Sequence, residues 1–274
     1  MTPFHVTSPN RETEMILRVL PPIVLLCLAT LMAEPESVCG QDDRNFRTIQ
    51  FDSADGVKIT ADLYMSDDDH SKPFIVLCHQ AGWSRGEYRE IAPKLNQLGF
   101  NCMAIDQRSG DEVNGVKNDT AVLASQAGKS TEYVDAEQDM IAALKYARKN
   151  FADGKLVLWG SSYSAALALR VAGEQPSLVD GVLAFAPGEY FRKSGKPGDW
   201  ITSSARKIRK PVFITSRKDE YDNWKSIYEA VTADGKVKFV PGSAGNHGSR
   251  ALWNQFSDSQ DYWQATRSFL KKFR

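Results

Sequence analysis

Residues 155–166 read KLVLWGSSYSAA, a sequence with the pattern of a strand, a tight turn and a helix. The apolar residues 156–159 predict a short buried strand, and the small residues after them predict a tight turn into a helix. Ser162 lies at the bend, with Gly160 before it and Ser164 after it. Small residues are needed there because the strand and the helix come very close together. A serine in such a turn has its hydroxyl exposed above the edge of the sheet, where it can act as a nucleophile.

The rest of the chain alternates between strand and helix signals. The first two strands flank Asp55-Gly56, a dipeptide typical of a hairpin turn. Strands are predicted at 46–53, 57–65, 74–79, 100–106, 155–159, 179–186, 211–215 and 237–240, and helices at 88–98, 131–150, 162–172, 224–231 and from about 249. This series predicts an α/β fold, with a mainly parallel eight-stranded sheet and helices on both faces. Residues 107–130 are predicted to form a loop, and residues 188–210 a minimal cap.

The composition of the chain restricts which kinds of molecule it is predicted to bind. The chain has 274 residues, a formal net charge of zero and 42% hydrophobic residues, which predicts one large α/β domain or two small ones. A balanced charge excludes the basic footprint of a nucleic-acid-binding protein. No metal-ligand spacing and no phosphate-binding loop occur in the sequence, so neither a metal nor a cofactor is predicted. The oligomeric state has no sequence signal.

The N-terminal segment differs from the rest of the chain. Arg11 and Arg18 precede the apolar run Val19–Ala33, and a polar stretch follows. This order is typical of a secretory signal peptide. We therefore predict a signal peptide and tail over residues 1–40, a catalytic domain over residues 41–274, and export to the periplasm or the medium.

Two alternatives concern this segment. Met15 is a second candidate start, and cleavage could follow either Ala33 or Gly40. An uncleaved signal could also anchor the protein in the membrane. The apolar run is shorter than the ~20 residues that a membrane span requires, and Pro21-Pro22 interrupts it. No stable membrane span is therefore predicted in the mature chain.

The cysteines do not indicate a disulfide framework. Cys27 and Cys39 lie in or beside the N-terminal segment, whereas Cys78 and Cys102 fall on two apolar strands. Export would permit a bond between the latter two. Buried free thiols are the favoured interpretation, since cysteine is commonly a small core residue.

Three reactive residues follow three predicted strands. Ligands of open α/β sheets bind at the carboxyl ends of the strands. Ser162 follows the strand at 155–159, Asp219 follows the strand ending at 215, and His247 follows the strand ending at 240. The order serine, acid, histidine is that of the α/β hydrolases. These three residues are our predicted catalytic set.

Elimination leads to the same histidine. His5 lies in the predicted signal, and His70 lies in a solvated acidic run. His79 precedes the serine, so only His247 follows both the nucleophile and the acid. The acid has alternatives in Glu189, Glu220 and Asp222. Asp222 is well placed to cap the next helix, and Asp219 is preferred because it lies four residues after the strand.

Two backbone N–H groups are candidates for an oxyanion hole. The segment His79-Gln80-Ala81-Gly82 follows the first long buried strand, and we assign one donor to Ala81. Tyr163, directly after the nucleophile, provides the second. His79 is interpreted as a buried histidine that braces this loop. Residues 106–110, at the end of the next strand, are interpreted as structural, with charges and hydrogen bonds that join loops.

These motifs together resemble those of the serine α/β hydrolases, in the dienelactone hydrolase-like and small esterase branch. The resemblance covers residues 46–274 and rests on His79-Gln80-Ala81-Gly82, Asp106-Gln107-Arg108-Ser109-Gly110, Gly160-Ser161-Ser162-Tyr163-Ser164, Arg217-Lys218-Asp219-Glu220 and Asn246-His247-Gly248. It implies that Ser162 is the nucleophile, Asp219 the acid and His247 the base. The sequence departs from the family pattern at Gln80 and at Ser164, where glycines are usual. Dienelactone hydrolases proper use a cysteine nucleophile, so the serine disfavours that substrate.

The resemblance implies an enzyme that hydrolyses small-molecule carboxylic esters through an acyl-enzyme. His247 would take the proton of Ser162, and the N–H groups of Ala81 and Tyr163 would hold the oxyanion. Two alternatives stay open. The first is an exopeptidase or amidase of the prolyl-oligopeptidase type, and the second is a non-catalytic binding protein with a hydrolase fold.

Overall fold

The computed structural model describes residues 45–274. Their strands are β1 (Arg47–Asp52), β2 (Lys58–Tyr64), β3 (Phe74–Cys78), β4 (Asn101–Ile105), β5 (Glu112–Val113), β6 (Val116–Lys117), β7 (Leu156–Ser161), β8 (Gly181–Phe185), β9 (Val212–Thr215) and β10 (Val237–Phe239). Their α-helices are α1 (Ile91–Gln97), α2 (Asp119–Gln126), α3 (Ala136–Asn150), α4 (Tyr163–Glu174), α5 (Trp200–Ala205), α6 (Tyr221–Ala230) and α7 (Ser259–Leu270).

Eight of these strands form one sheet in the order β1-β2-β4-β3-β7-β8-β9-β10. β1 pairs with β2, and β2 with β4, in antiparallel orientation. All the other neighbours pair in parallel. The predicted α/β fold with a mainly parallel eight-stranded sheet is confirmed. The carboxyl ends of β3, β4, β7, β8, β9 and β10 therefore meet at one edge of the sheet.

The sheet is buried on both faces, which explains the continuous apolar runs in the sequence. Successive residues of β3 point to opposite faces: Phe74 and Val76 pack in one core, whereas Ile75 and Leu77 pack in the other. Helices α3 to α6 cover the first face, and α1 and α7 cover the second.

The two cysteines of the core strands are buried free thiols, as predicted. β3 and β4 are neighbours, but Cys78 lies opposite Ile105 and Cys102 lies opposite Ile75. The register thus separates the two sulfur-bearing residues along the strands. Burial raises the pKa of both thiols well above its usual range, so both are neutral at physiological pH.

Residues 107–130 contain more structure than predicted. They hold the hairpin β5–β6 and the helix α2. The Asn118 side chain caps α2 by accepting a 2.8 Å hydrogen bond from the N–H of Ala121. The helix buries only Thr120 and Ala124, so its buried side lacks the large apolar residues that periodicity analysis detects.

The predicted signal peptide, its cleavage sites, Cys27 and Cys39 lie outside the described residues. Export and the uncleaved-anchor alternative therefore stay predictions. Within residues 45–274, no helix is both long enough and apolar enough to cross a membrane.

Candidate active site

Ser162 occupies the turn between β7 and α4 in an unusual backbone conformation. Its φ of 58° and ψ of −119° are rare for a residue with a side chain. Its N–H donates a 2.7 Å hydrogen bond to the carbonyl oxygen of Phe185, on the neighbouring strand β8. At Gly160, a Cβ atom would lie 2.2 Å from the carbonyl oxygen of Ser164, so this position requires glycine. We call residues 160–164 the nucleophile turn.

The Ser162 hydroxyl faces His247. The Nε2 atom of His247 lies 2.8 Å from the Ser162 Oγ, and Nδ1 lies 2.7 Å from the Oε1 atom of Glu220. A carboxylate only accepts hydrogen bonds, so the imidazole carries its proton on Nδ1 and accepts from Ser162 at Nε2. Burial disfavours the Glu220 carboxylate, but the hydrogen bond and charge of His247 outweigh this and lower the pKa of Glu220. The three side chains form a continuous hydrogen-bonded chain.

The structure corrects the predicted acid. Asp219 is exposed and pairs with Arg217 at 2.7 Å, away from His247. Residues 218–220 form one 3₁₀ turn after β9, and successive side chains of such a turn point about 120° apart. Only the side chain of Glu220 is directed towards His247. The prediction was therefore wrong by one residue, and no strand or helix pattern in the sequence distinguishes the two.

The other two candidate acids, Glu189 and Asp222, each have their carboxylate at the first turn of a helix. Glu189 accepts hydrogen bonds from the N–H groups of Ile201 and Thr202, at 2.9 and 2.8 Å, in the first turn of α5. Asp222 is an exposed acid in the first turn of α6, where a negative charge is favourable. Neither carboxylate pairs with the imidazole of His247.

The loop after β3, residues 79–82, is called the oxyanion loop. The Gln80 N–H donates a 2.8 Å hydrogen bond to the Oε2 atom of the buried Glu87, so it is not free to donate to an oxyanion. Ala81 follows it and is exposed at the end of β3. Tyr163 is the first residue of α4, and N–H groups at a helix N-terminus favour negative charge. The structure thus leaves Ala81, and not Gln80, as the candidate donor of this loop.

Ser164 replaces the usual second glycine of the turn, and its hydroxyl has a defined role. It donates a 2.6 Å hydrogen bond to the carbonyl oxygen of His79 and accepts one of 2.5 Å from the Gln107 side-chain amide. Gln107 also donates to the Tyr163 hydroxyl at 2.9 Å. These bonds join the nucleophile turn to the oxyanion loop, which a glycine at position 164 could not do.

His79 braces the oxyanion loop, as predicted. It is fully buried, and its Nε2 accepts a 3.1 Å hydrogen bond from the Gln107 N–H while Nδ1 donates to the Gln80 carbonyl oxygen at 2.8 Å. Burial lowers the pKa of His79 to about 4, so the ring is neutral at physiological pH. A neutral ring with both nitrogens engaged is suited to a structural role.

Residues 106–110 join loops through buried ion pairs, which confirms their structural interpretation. Arg108 pairs with Asp139 at 2.7 Å and with Asp55 at 2.9 Å. Asp106 pairs with Arg85 and accepts a 2.8 Å hydrogen bond from the Asp119 N–H. These contacts hold the segment that follows the carboxyl end of β4.

Tyr190 was not singled out from the sequence. Its hydroxyl donates a 2.7 Å hydrogen bond to the carbonyl oxygen of Ala186, and the residue is 42% exposed. Burial of the hydroxyl raises its pKa, and the charge of Glu220 adds to this. The Tyr190 hydroxyl therefore lies close to Glu220 and Ser162.

An open cleft is lined by helix α2, the segment after β4 and residues 131–133. Its volume is about 510 Å³, and its lining includes Ser109, Val122 and Tyr133. The ring of Tyr133 lies 4.7 Å from that of Tyr163, which connects the cleft to the turn. Among residues 45–274, no group of three or more His, Cys, Asp or Glu side chains is arranged to hold a metal ion.

The sheet topology and the Ser162–His247–Glu220 geometry define an α/β hydrolase. The chain matches the family profile Hydrolase_4, described as serine aminopeptidase, S33, over residues 69–238. The chain belongs to this family. A search of curated protein sequences finds no match.

Solved structures with the same fold include an esterase of Pyrococcus furiosus, which is 18% identical, with 83% of this chain and 91% of that chain covered and a TM-score of 0.63. A dienelactone hydrolase of Anabaena variabilis is 15% identical, with coverage of 84% and 99% and a TM-score of 0.62. Est1E of Butyrivibrio proteoclasticus, solved with ferulic acid, is 13% identical, with coverage of 82% and 98% and a TM-score of 0.62. At these identities the likeness shows the fold.

Proposed function

We propose that the protein hydrolyses carboxylic esters of small molecules through a covalent acyl-enzyme, with Ser162 as nucleophile, His247 as base and Glu220 as acid. The observation that carries this proposal is the hydrogen-bonded chain from the Ser162 Oγ through both ring nitrogens of His247 to Glu220. Its support is geometric, because each bond lies within the range required for proton transfer.

The chemistry has two steps. The Ser162 Oγ attacks the ester carbonyl carbon while its proton passes to the Nε2 of His247. Glu220 stabilises the imidazolium that forms, and the N–H groups of Ala81 and Tyr163 are the proposed donors to the oxyanion. Collapse of the tetrahedral intermediate expels the alcohol, which takes the proton from His247. Water, activated by the same histidine, then attacks the acyl-enzyme and releases the carboxylic acid and free Ser162.

A fluorophosphonate probe tests the nucleophile directly. We expect the probe to label the folded protein on Ser162, as identified by peptide mass spectrometry, and Ser162→Ala to abolish labelling. Ser226→Ala is the matched control, because Ser226 is an exposed serine of α6. Labelling that persists in Ser162→Ala, or a folded wild-type protein that stays unlabelled, would refute the proposed nucleophile.

A second candidate function is hydrolysis of an amide or peptide bond. It is favoured by the family description, serine aminopeptidase. The connection from β8 to β9 carries one 3₁₀ turn and the short helix α5, which packs against α4 and α6. Among the described residues it thus supplies no large gating domain of the kind expected for prolyl-oligopeptidase-type enzymes. Turnover of short p-nitrophenyl esters against aminoacyl p-nitroanilides separates the two functions, and we expect the esters to be the better substrates.

The substrate class is proposed to be a small ester that enters from the open side of the site. Tyr190 and Tyr133 are both exposed aromatic residues, and the ring of Tyr133 packs against Tyr163 of the nucleophile turn. Aromatic walls with hydroxyl groups favour acyl or alcohol groups that have both apolar and polar parts. We further propose that the protein is exported from the cell, with a membrane anchor formed by an uncleaved signal as the alternative.

A further inference from the structure

A buried carboxylate lies behind the proposed site and takes no part in the mechanism above. Glu87 belongs to the 3₁₀ turn Arg85–Tyr88 after β3 and is fully buried. Among the described residues, its carboxylate forms no ion pair with a lysine, arginine or histidine. A buried carboxylate that pairs with hydrogen-bond donors instead of a cation destabilises the fold unless those donors compensate. Its presence therefore calls for an explanation beyond packing.

Each oxygen of Glu87 accepts from a different part of the site. Oε2 accepts a 2.8 Å hydrogen bond from the Gln80 N–H, one residue before the candidate donor Ala81. Oε1 accepts a 2.7 Å hydrogen bond from the Ser161 hydroxyl, one residue before the nucleophile Ser162. The carboxylate thus joins the oxyanion loop to the nucleophile turn across the end of the sheet.

Ser161 extends the connection to the histidine loop, which we define as residues 241–249. Its Oγ accepts a 2.8 Å hydrogen bond from the N–H of Ser249, two residues after His247. At Gly248, a Cβ atom would lie 2.5 Å from the Ser161 Oγ and 2.9 Å from the Gln80 Oε1. The histidine loop therefore packs directly on the two residues that Glu87 holds.

We propose that Glu87 is a positioning residue of the ester hydrolysis, whose ionised carboxylate fixes the oxyanion loop, the nucleophile turn and the histidine loop relative to one another. This inference rests on the proposed function. Its physical basis is that small displacements of groups which must meet in the transition state have large effects on rate.

The ionised form is the one that satisfies every hydrogen bond. Oε2 faces an N–H group, so a proton on Glu87 must lie on Oε1 and be donated to the Ser161 Oγ. That oxygen already accepts from the Ser249 N–H. The Ser161 hydrogen would then lose its acceptor in a buried environment, and the three segments would have to rearrange.

The charge state of Glu87 can change near neutral pH. Burial raises its pKa to about 7, while the hydrogen bonds from Ser161 and Gln80, the nearby N–H of Ser249 and the charge of Arg250 oppose this. The other titratable groups facing it are Cys78 of β3 and Tyr88 of its own turn. Burial raises the pKa of both, so they stay neutral in this range. Protonation of Glu87 is thus expected to reduce turnover as the pH falls below neutrality.

The test uses Glu87→Gln in the full-length protein. The side-chain amide accepts from the Gln80 N–H and donates to Ser161, so it reproduces the hydrogen-bond pattern of the protonated acid at every pH. At about pH 8 we expect kcat per active site, counted by fluorophosphonate titration, to fall by about tenfold to 100-fold with KM changed by less than about threefold. The ratio of wild-type to variant kcat should shrink as the pH falls below about 6, because the wild type then carries the proton too.

Controls separate positioning from folding. Glu90→Gln makes the same chemical change at an exposed position three residues away and should leave kcat unchanged. Ser161→Ala removes the hydroxyl that donates to Glu87 and should lower kcat by a similar factor. The double variant should have a kcat no lower than that of the less active single variant, because both changes remove the same interaction. The thermal midpoint of Glu87→Gln at about pH 8 should not fall, since the amide avoids burying a charge.

The outcomes are distinct. A Glu87→Gln protein with wild-type kcat and a wild-type pH profile overturns the positioning role, while Ser162→Ala tested alongside it reports on the proposed function. A kcat loss that is constant across pH and matched by a lower thermal midpoint also overturns it, because that is the signature of a purely structural residue. A folded wild-type protein that neither turns over esters nor reacts with the probe overturns the proposed function itself.

Discussion

Glu220 Oε1 lies 2.7 Å from the Nδ1 of His247, whereas its chain neighbour Asp219 is paired with Arg217. Two adjacent carboxylates thus differ completely in their contact with the imidazole. We expect Glu220→Gln to lower kcat by about 10³–10⁴-fold, because an amide can stabilise the wrong tautomer of the ring and cannot stabilise the imidazolium. Asp219→Asn, the matched change one residue earlier, should stay within about twofold of wild type.

Steady-state turnover of a p-nitrophenyl ester by both variants measures this difference. Glu189→Gln and Asp222→Asn complete the set of candidate acids, and neither should approach the loss of Glu220→Gln. If Asp219→Asn were the crippled variant, the side-chain placement in the 3₁₀ turn described above would be wrong.

Ser164 is expected to contribute to stability as well as to geometry. Ser164→Ala leaves the His79 carbonyl oxygen and the Gln107 amide without their buried partner. We expect the free energy of unfolding to fall by about 1–3 kcal/mol, the range for an unsatisfied buried polar group. Urea titration followed by circular dichroism measures it, with Ser226→Ala as the solvent-exposed control. Equal midpoints for the two variants would show that the Ser164 hydroxyl is dispensable.

Gly160 is expected to tolerate no side chain. In Gly160→Ala the new Cβ would lie 2.2 Å from the carbonyl oxygen of Ser164, and the backbone atoms there cannot move without disturbing the turn. Overpacking of this kind lowers stability by about 1–3 kcal/mol or more. Gly242→Ala is the matched control, since nothing lies within 4 Å of its added Cβ. Thermal unfolding of both proteins distinguishes the sites, and equal midpoints would contradict the close approach of β7 to α4.

Two of the buried titratable groups, Glu87 and His79, should make stability depend on pH with opposite signs. The pKa of Glu87 is raised from 4.5 to about 7, so the folded state binds this proton more tightly and stability falls as the pH rises from about 4.5 to 7. The pKa of His79 is lowered from 6.5 to about 4, so stability rises as the pH increases from about 4 to 6.5. In the wild type the two effects oppose each other over the shared range.

Glu87→Gln removes the contribution of Glu87 to this pH dependence and leaves that of His79. We expect the free energy of unfolding of this variant, relative to wild type, to increase by about 3 kcal/mol between about pH 4.5 and 8. Urea midpoints for both proteins across this range give the difference directly. A difference that is independent of pH would mean that Glu87 does not change its protonation state there.

Much of the fold could be predicted because its physical signals are local. Each buried strand of the sheet is a continuous apolar run, and the turn around Ser162 requires small residues that stand out in the sequence. The acid could not be predicted to the residue, since Asp219 and Glu220 are carboxylates of the same turn and the directions of their side chains cannot be read from the sequence. Helix α2 was missed because its buried side is small. Glu87 has no sequence signature, since its importance depends on partners 7 and 74 residues away.

The hydrogen bonds of the site connect residues that are remote in the chain. Those between Glu87 and Ser161, Ser162 and His247, and Trp159 and Ser249 span 74, 85 and 90 residues. Contacts of such high sequence separation form late, because the intervening chain must first lose its conformational freedom. Helices and strands should therefore return early when the denatured protein is refolded, and reactivity towards a fluorophosphonate should return last. Reactivity of Ser162 towards the probe is thus expected only when the whole domain has reached its native fold.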